Sequence, residues 1–271
     1  MTSSSAPPID DLRVLRADAL AGRSAFVSGA GSGIGRGIAL RLLSLGMNVF
    51  GTGRRAEPLA ETASLAQGLS GRFDHAPCNV RETAAVEALV AEVGQRQGMD
   101  LLVNNAGGQF FAPAAEISRK GWDAVIDVNL NAVFVVTKAA YPFLKARKGA
   151  VVNISLSGVD RGSMGIAHSI AARAGVLGLT RTLALEWARD DIALNCIGPG
   201  AVITEGLAGE AARAMLDRLV EATPMGRPTR VEEVAELVAF LATPAAHLMT
   251  GQLIQIDGAA HLGSGLHMLA A

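Results

Sequence analysis

The chain has 271 residues, half of them apolar, enough for one sizeable hydrophobic core in one domain. Its formal charge of -1, with acids and bases scattered along the sequence, leaves no basic footprint for nucleic acid and makes a small molecule the expected partner. Two distant cysteines, Cys78 and Cys196, each within or beside an apolar run, read as buried thiols, so neither a disulfide framework nor a metal site is expected.

The opening Met1-Thr2-Ser3-Ser4-Ser5-Ala6-Pro7-Pro8 is polar and lacks the apolar stretch of a secretion signal. Residues 1–22 read as an N-terminal extension to a single domain over 23–271. No apolar stretch reaches the roughly 18 residues of a membrane span, so a cytoplasmic setting is expected. Seven short runs then read as strands, at 24–28, 47–52, 73–77, 101–104, 150–154, 193–197 and 253–256. Leu101-Leu102-Val103 and Val151-Val152 show no polar alternation, which suits strands buried on both faces. Between them, 34–45, 81–97, 121–147, 170–188 and 231–241 have helical spacing; Val86, Leu89, Val90 and Val93, for example, share one face. The alternation predicts an α/β fold, a doubly wound parallel seven-stranded sheet of Rossmann-like type. Residues 205–228 break this rhythm. Gly206 and Gly209 precede helical spacing over 211–219, making the segment a candidate substrate lid or a surface helix.

Directly after the first strand comes Ser28-Gly29-Ala30-Gly31-Ser32-Gly33-Ile34-Gly35, a glycine-rich turn opening a helix. Glycines there permit positive φ and let the backbone approach a pyrophosphate, whose charge the helix N-terminus meets. At the end of the second strand, Val49-Phe50-Gly51-Thr52-Gly53-Arg54-Arg55 offers no acid for a ribose 2′-hydroxyl and two guanidiniums for a 2′-phosphate, which predicts NADP(H).

With its Gly29, Gly33, Gly35 spacing, Asn104-Asn105-Ala106-Gly107, Asn129 and Pro199-Gly200-Ala201-Val202-Ile203-Thr204, the chain resembles the short-chain dehydrogenase/reductase family over nearly its whole length. The resemblance implies that Gly29, Ser32 and Ile34 contact the cofactor phosphates on a turn shaped by Gly33 and Gly35. It also implies that Asn105, Ala106 and Gly107 border the adenosine side, that Asn79 and Val80 lie near the adenine, and that Thr204, after Pro199 and Gly200, holds the nicotinamide amide.

Most members of that family use an Asn, a Ser, a Tyr and a Lys, the last two spaced as YxxxK. A gapless match over 173–187 puts Arg173 at the Lys position and Ser169 at the Tyr position, while the family's Ser falls on Leu156. Only Asn129 matches outright, and the single tyrosine, Tyr141, stands elsewhere. Ser155 and Ser157 flank Leu156, and Ser157, in the loop, is the better substitute if the register shifts.

These departures favour one chemistry. Arg173 can hold ribose hydroxyls as lysine does, but it has no Tyr to activate. Ser169 is a poor general acid and a usable hydrogen-bond donor. Ketone reduction leaves an alkoxide that wants a proton, whereas conjugate reduction of an enoyl thioester places charge on the thioester oxygen, where donors suffice. His168 could supply a proton if it faces the pocket; facing outward, it is a capping or surface residue. Gln109 is either an amide donor to the acyl oxygen or a pin for its loop.

The runs Asn104-Asn105-Ala106-Gly107-Gly108-Gln109-Phe110, Ile117-Ser118-Arg119-Lys120-Gly121-Trp122 and His168-Ser169-Ile170-Ala171-Ala172-Arg173 are similar to the enoyl-CoA and 2,4-dienoyl-CoA reductase subgroup, which also lacks YxxxK. Leu177 departs from it, standing where peroxisomal members have a Tyr. The resemblance implies an NADPH-dependent reductase of an α,β-unsaturated acyl thioester, assembled as a homotetramer through 121–147. The alternatives are an NADP-dependent carbonyl or alcohol oxidoreductase with His168 as acid, and a cofactor-binding pseudoenzyme.

Overall fold

The computed structural model describes residues 12–203 and 210–262. Its strands are β1 (Ser24–Ser28), β2 (Asn48–Gly53), β3 (Phe73–Pro77), β4 (Leu101–Asn104), β5 (Ala150–Ile154), β6 (Ala193–Pro199) and β7 (Leu253–Ile256). They form one parallel seven-stranded sheet in the order β3-β2-β1-β4-β5-β6-β7, the doubly wound Rossmann-like topology read from the sequence. Strand order reverses between β1 and β4, and a crevice opens there beyond the carboxyl ends of the strands.

The apolar runs lack alternation because both faces of the sheet are covered. Ala25, Val27, Leu101, Val103 and Val152 pack on the side of α1 (Gly33–Ser44) and α8 (Val231–Leu241). Their neighbours Phe26, Leu102 and Val151 pack on the side of α3 (Thr83–Gln97) and α5 (Ala132–Arg147). α6 (Ala167–Glu186) covers β6 on that second face. Phe26, Leu101, Leu102 and Val103 are completely buried, each stabilising the fold by about 1.5–3 kcal/mol over an exposed side chain.

Three elements differ from the sequence reading. α2 (Ala56–Leu65) was not expected; Pro58 argues against a helix interior, but in a first turn it removes no needed donor, and Leu59 and Thr62 bury the inner face. The expected helix 121–147 runs from Arg119 to Arg147 but is interrupted by a π-turn at Asp127–Asn131 between α4 (Arg119–Ile126) and α5. It is the one helix among the described residues long and apolar enough to cross a membrane, and its buried residues pack as a core helix. Within the candidate lid at 205–228, α7 spans Glu210–Glu221, and the stretch before it, 204–209, lies outside the described residues.

Candidate active site

The first turn is closed by its neighbours and open towards the crevice. Gly29 and Gly33 have φ of 70° and 51°, the left-handed region that favours glycine. A Cβ on Gly35 would overlap the Gly29 carbonyl and the Asn105 amide, so side chains are excluded where the turn meets the β4 loop. Ser28 Oγ accepts from the backbone N–H groups of Asn105 and Ala106, both at 3.0 Å, and Asn105 Nδ2 donates to Ser28 O at 3.0 Å. Ser32 caps α1 without a side-chain bond, leaving the first-turn N–H groups there, including that of Ile34, free to meet an anion.

This turn forms one wall of a cavity of about 420 Å³ that also takes in Arg54, Arg55, Asn79, Val80, Asn105, Ala106 and Gly107. Arg54 and Arg55 are exposed and make no hydrogen bond or ion pair with the described residues. Asn79 is already engaged, donating to Glu82 at 3.1 Å and accepting from Arg81 N–H at 3.3 Å at the start of α3. Its amide therefore shapes the wall more than it offers a free donor. Pro199 and Gly200 lie at the end of β6, where a Cβ on Gly200 would come 3.0 Å from Asp257 Cα. Thr204 lies outside the described residues.

Behind the edge of this cavity formed by Gly107, Gly108 and Gln109, the side chains of Asn129, Ser169 and Arg173 come together. The π-turn sets Asn129 inward, where Nδ2 donates to Val125 O at 2.9 Å and Gly108 O at 2.7 Å. Its Oδ1 accepts from Gly108 N–H at 3.2 Å and from Arg173 Nη1 at 2.8 Å. Both oxygen lone pairs and both N–H donors are thus spent, making Asn129 a positioning residue for Arg173 and the 104–110 loop. Ser169 and Arg173 stand one turn apart on α6, with Nη1 3.0 Å from Ser169 Oγ. A Cβ on Gly107 would lie 2.7 Å from Asn129 Oδ1, so any larger residue there would push on the Asn129 amide.

Arg173 is electrostatically unusual. Burial pulls its pKa down to about 10, no carboxylate pairs with it among the described residues, and its Nε is buried without a partner. At neutral pH it remains a cation. A desolvated cation with spare donors is suited to a ligand that brings negative charge or hydroxyl oxygens into the cleft.

The family model described as enoyl-(acyl carrier protein) reductase matches residues 29–261. The chain belongs to the short-chain dehydrogenase/reductase family. It is 37% identical over 244 residues to the 3-oxoacyl-[acyl-carrier-protein] reductase FabG of Thermotoga maritima, covering 88% of this chain and 98% of that one. It is 35% identical over 243 residues to the probable 2,4-dienoyl-CoA reductase [(2E)-enoyl-CoA-producing] of Bacillus subtilis, covering 87% and 95%. A solved structure of a single-substitution variant of actinorhodin polyketide ketoreductase with NADPH superposes with a TM-score of 0.81 at 35% identity, over 88% of this chain and 97% of that chain. The protein is thus an oxidoreductase of the short-chain dehydrogenase/reductase type.

The structure places two further candidate residues, His168 and Ser157, outside the bonds of this cluster. His168 is completely buried beside Phe110, the ring centroids 4.3 Å apart, and its Nδ1 accepts the backbone N–H of Ser169 at 2.8 Å. It shares that N–H with the Ile166 carbonyl, its Nε2 is buried without a partner, and it makes no bond to Asn129, Arg173 or Gln109 among the described residues. Ser157 likewise stays out of the cluster. Its hydroxyl bonds Asp257 Oδ2 at 2.6 Å, because its backbone pairs with Pro199 and places it against the end of β7.

The sequence does contain one YxxxK spacing, Tyr141 to Lys145, on α5. There the phenol donates to Asp190 at 2.6 Å and Lys145 bonds the same carboxylate at 2.8 Å, a surface tie between α5 and the end of α6. The Asp190 carboxylate holds the lysine above its ordinary pKa, so it is no base. Sequence reasoning missed Asp257, whose one signal was the Asp-Gly pair after the last strand. It also missed the chain Asn104–Asn153–Thr180, bonds of 2.8 and 2.9 Å that tie β4 and β5 to α6 beneath the site.

Proposed function

We propose that this protein is an NADPH-dependent reductase of α,β-unsaturated acyl thioesters. The observation that carries this reading is Arg173, a buried guanidinium without a carboxylate, set directly behind the Ser169 hydroxyl. The glycine cradle, which a Cβ at Gly35 would fill, fits a dinucleotide pyrophosphate, and Arg54 and Arg55 fit its 2′-phosphate. When bound, the reduced nicotinamide supplies a hydride to the β-carbon of the substrate.

The chain's own residues then act on the thioester. Ser169 donates a hydrogen bond to the acyl oxygen, and Arg173, donating into Ser169 and charged, stabilises the negative charge that builds on that oxygen as an enolate. Asn129 keeps Arg173 in place. No side chain in the cluster is a good acid at neutral pH, which suits a reaction whose α-carbon can take its proton from water. Phe110, Phe111 and Trp122, partly exposed close to the cluster, suit an acyl chain.

NADPH oxidation followed at 340 nm with trans-2-enoyl-CoAs of several chain lengths tests the reading. Turnover of these is expected to exceed that of the corresponding 3-oxoacyl-CoAs; constant absorbance with every enoyl-CoA, or preference for the 3-oxo compounds, overturns it. A homotetramer belongs to the same proposal, supported by exposed Phe134 and Leu185 on α5 and α6; a monomeric mass in sedimentation removes it.

A further inference from the structure

The Ser169 hydroxyl has a single proton, and its neighbours decide where that proton points. Arg173 Nη1 donates into a lone pair of Oγ from 3.0 Å, while Oγ lies 2.6 Å from Gln109 Oε1. That separation falls in the O–H···O range and below the usual N–H···O range, so Ser169 donates and the Gln109 carboxamide oxygen accepts. Gln109 is exposed, lines the cleft and follows Gly108, around whose Cβ position nothing lies within 4 Å. A neutral sp² carbonyl oxygen therefore already rests on the donor that the reading above gives to the acyl oxygen of the substrate.

We propose that Gln109 sets the protein's affinity for carbonyl substrates: its carboxamide oxygen marks the acyl-oxygen subsite and competes for it. The inference rests on the placement of the acyl oxygen at Ser169. An amide oxygen is a stronger hydrogen-bond acceptor than a thioester oxygen, so exchanging one for the other gains nothing at Ser169. The substrate must be held by the rest of its structure. Ligands that do not use Ser169, the nucleotide above all, are indifferent to Gln109.

The test reads affinity, so that it stays separate from turnover. Butyryl-CoA, a saturated thioester, is titrated calorimetrically into protein saturated with NADP⁺. In Gln109→Ala it is expected to bind about fivefold more tightly, the equivalent of one net hydrogen bond. Gln109→Glu, whose carboxylate pairs with Arg173 and competes more strongly, is expected to bind it more weakly than the wild type. In a Ser169→Ala background the Gln109→Ala gain disappears. A residue that merely pins its loop would weaken binding in both variants. Unchanged or weaker binding in Gln109→Ala, or the same gain without Ser169, overturns the inference even if enoyl-CoAs are turned over. If butyryl-CoA does not bind the wild type, the enoyl reading fails, and the same variants titrated with acetoacetyl-CoA decide the role of Gln109.

Discussion

Across one crevice the glycine turn and the Arg173 cluster face a ligand by opposite means. On the turn the contacts come from backbone: Gly29 and Gly35 bring main chain against main chain, and the first N–H groups of α1 are left without side-chain caps. At the cluster they come from side chains held by other side chains, with Asn129 holding Arg173 and Arg173 holding Ser169. A backbone cradle is specified by what must be absent, namely Cβ atoms. A side-chain cluster is specified by what must be present and bonded, so its members can be exchanged as long as the charge and the donors survive. That difference is consistent with a chain that keeps the glycine turn while Ser169 and Arg173 stand where the resemblance puts the family's Tyr and Lys.

The largest effect should come from removing the charge at the side-chain end. Arg173→Ala is expected to lower kcat by about 10²–10³-fold, the loss typical of an oxyanion-stabilising donor. NADPH affinity should fall less than the rate, since Arg173 reaches at most the ribose hydroxyls while the phosphates bind at the glycine turn. Arg173→Lys, keeping charge with fewer donors, should retain part of the rate. The pH profile carries the same information. Burial lowers the guanidinium pKa to about 10, so the charge is present throughout the neutral range and is lost as pH rises through that value; turnover should decline only there. Full activity in Arg173→Ala would mean that the two ends of the cleft do not divide the work in this way.

The next effect sharpens the comparison from the nucleotide end. Arg54 and Arg55 are the side-chain charges that the sequence placed at the 2′-phosphate, and they stand exposed at the cleft without protein partners among the described residues. Replacing both with Ala is expected to weaken NADPH binding by about tenfold or more, the weight of a charge-assisted hydrogen bond to phosphate. NADH binding should be unaltered. Cofactor fluorescence titrations measure both, and an equal loss for the two nucleotides would show that the pair stabilises the turn and does not read the phosphate.

How much of this was legible in the sequence follows the same division. All seven strands and the glycine turn could be read because apolar runs and glycine positions are local signals. Helix α2 was hidden by Pro58, whose effect depends on whether it falls in the first turn. Asn129, Ser169 and Arg173 could be placed only through the family resemblance, and their mutual bonds could not be read at all. His168 shows why. It follows from one residue's rotation on α6 that Ser169 turns to Arg173 and Gln109 while His168 turns beneath Phe110, and nothing local to the sequence fixes that rotation. The fate of Ser157 depended on Asp257, a hundred residues away.

The smallest effect concerns that tie between the loop after β5 and the chain after β7. Asp257 is buried and accepts from Ser157 Oγ at 2.6 Å, His261 N–H at 2.7 Å and Ala259 N–H at 3.1 Å, the last holding a non-glycine residue at a φ of 72°. Burial pushes its carboxyl pKa up, but the bonds from Ser157 and His261 outweigh burial and leave it below the ordinary carboxylate value. A carboxyl with a lowered folded-state pKa contributes stability that is present at neutral pH and disappears as pH falls through that lowered range, below about pH 4. Asp257→Asn keeps the shape and loses the charge. It should therefore cost about 1–2 kcal/mol at pH 7, a fall in Tm of about 2–8 °C, and progressively less in acid. Because the glycine turn does not depend on this tie, NADPH affinity should stay at its wild-type value; a parallel loss of NADPH binding would show that the backbone end of the cleft leans on the chain after β7.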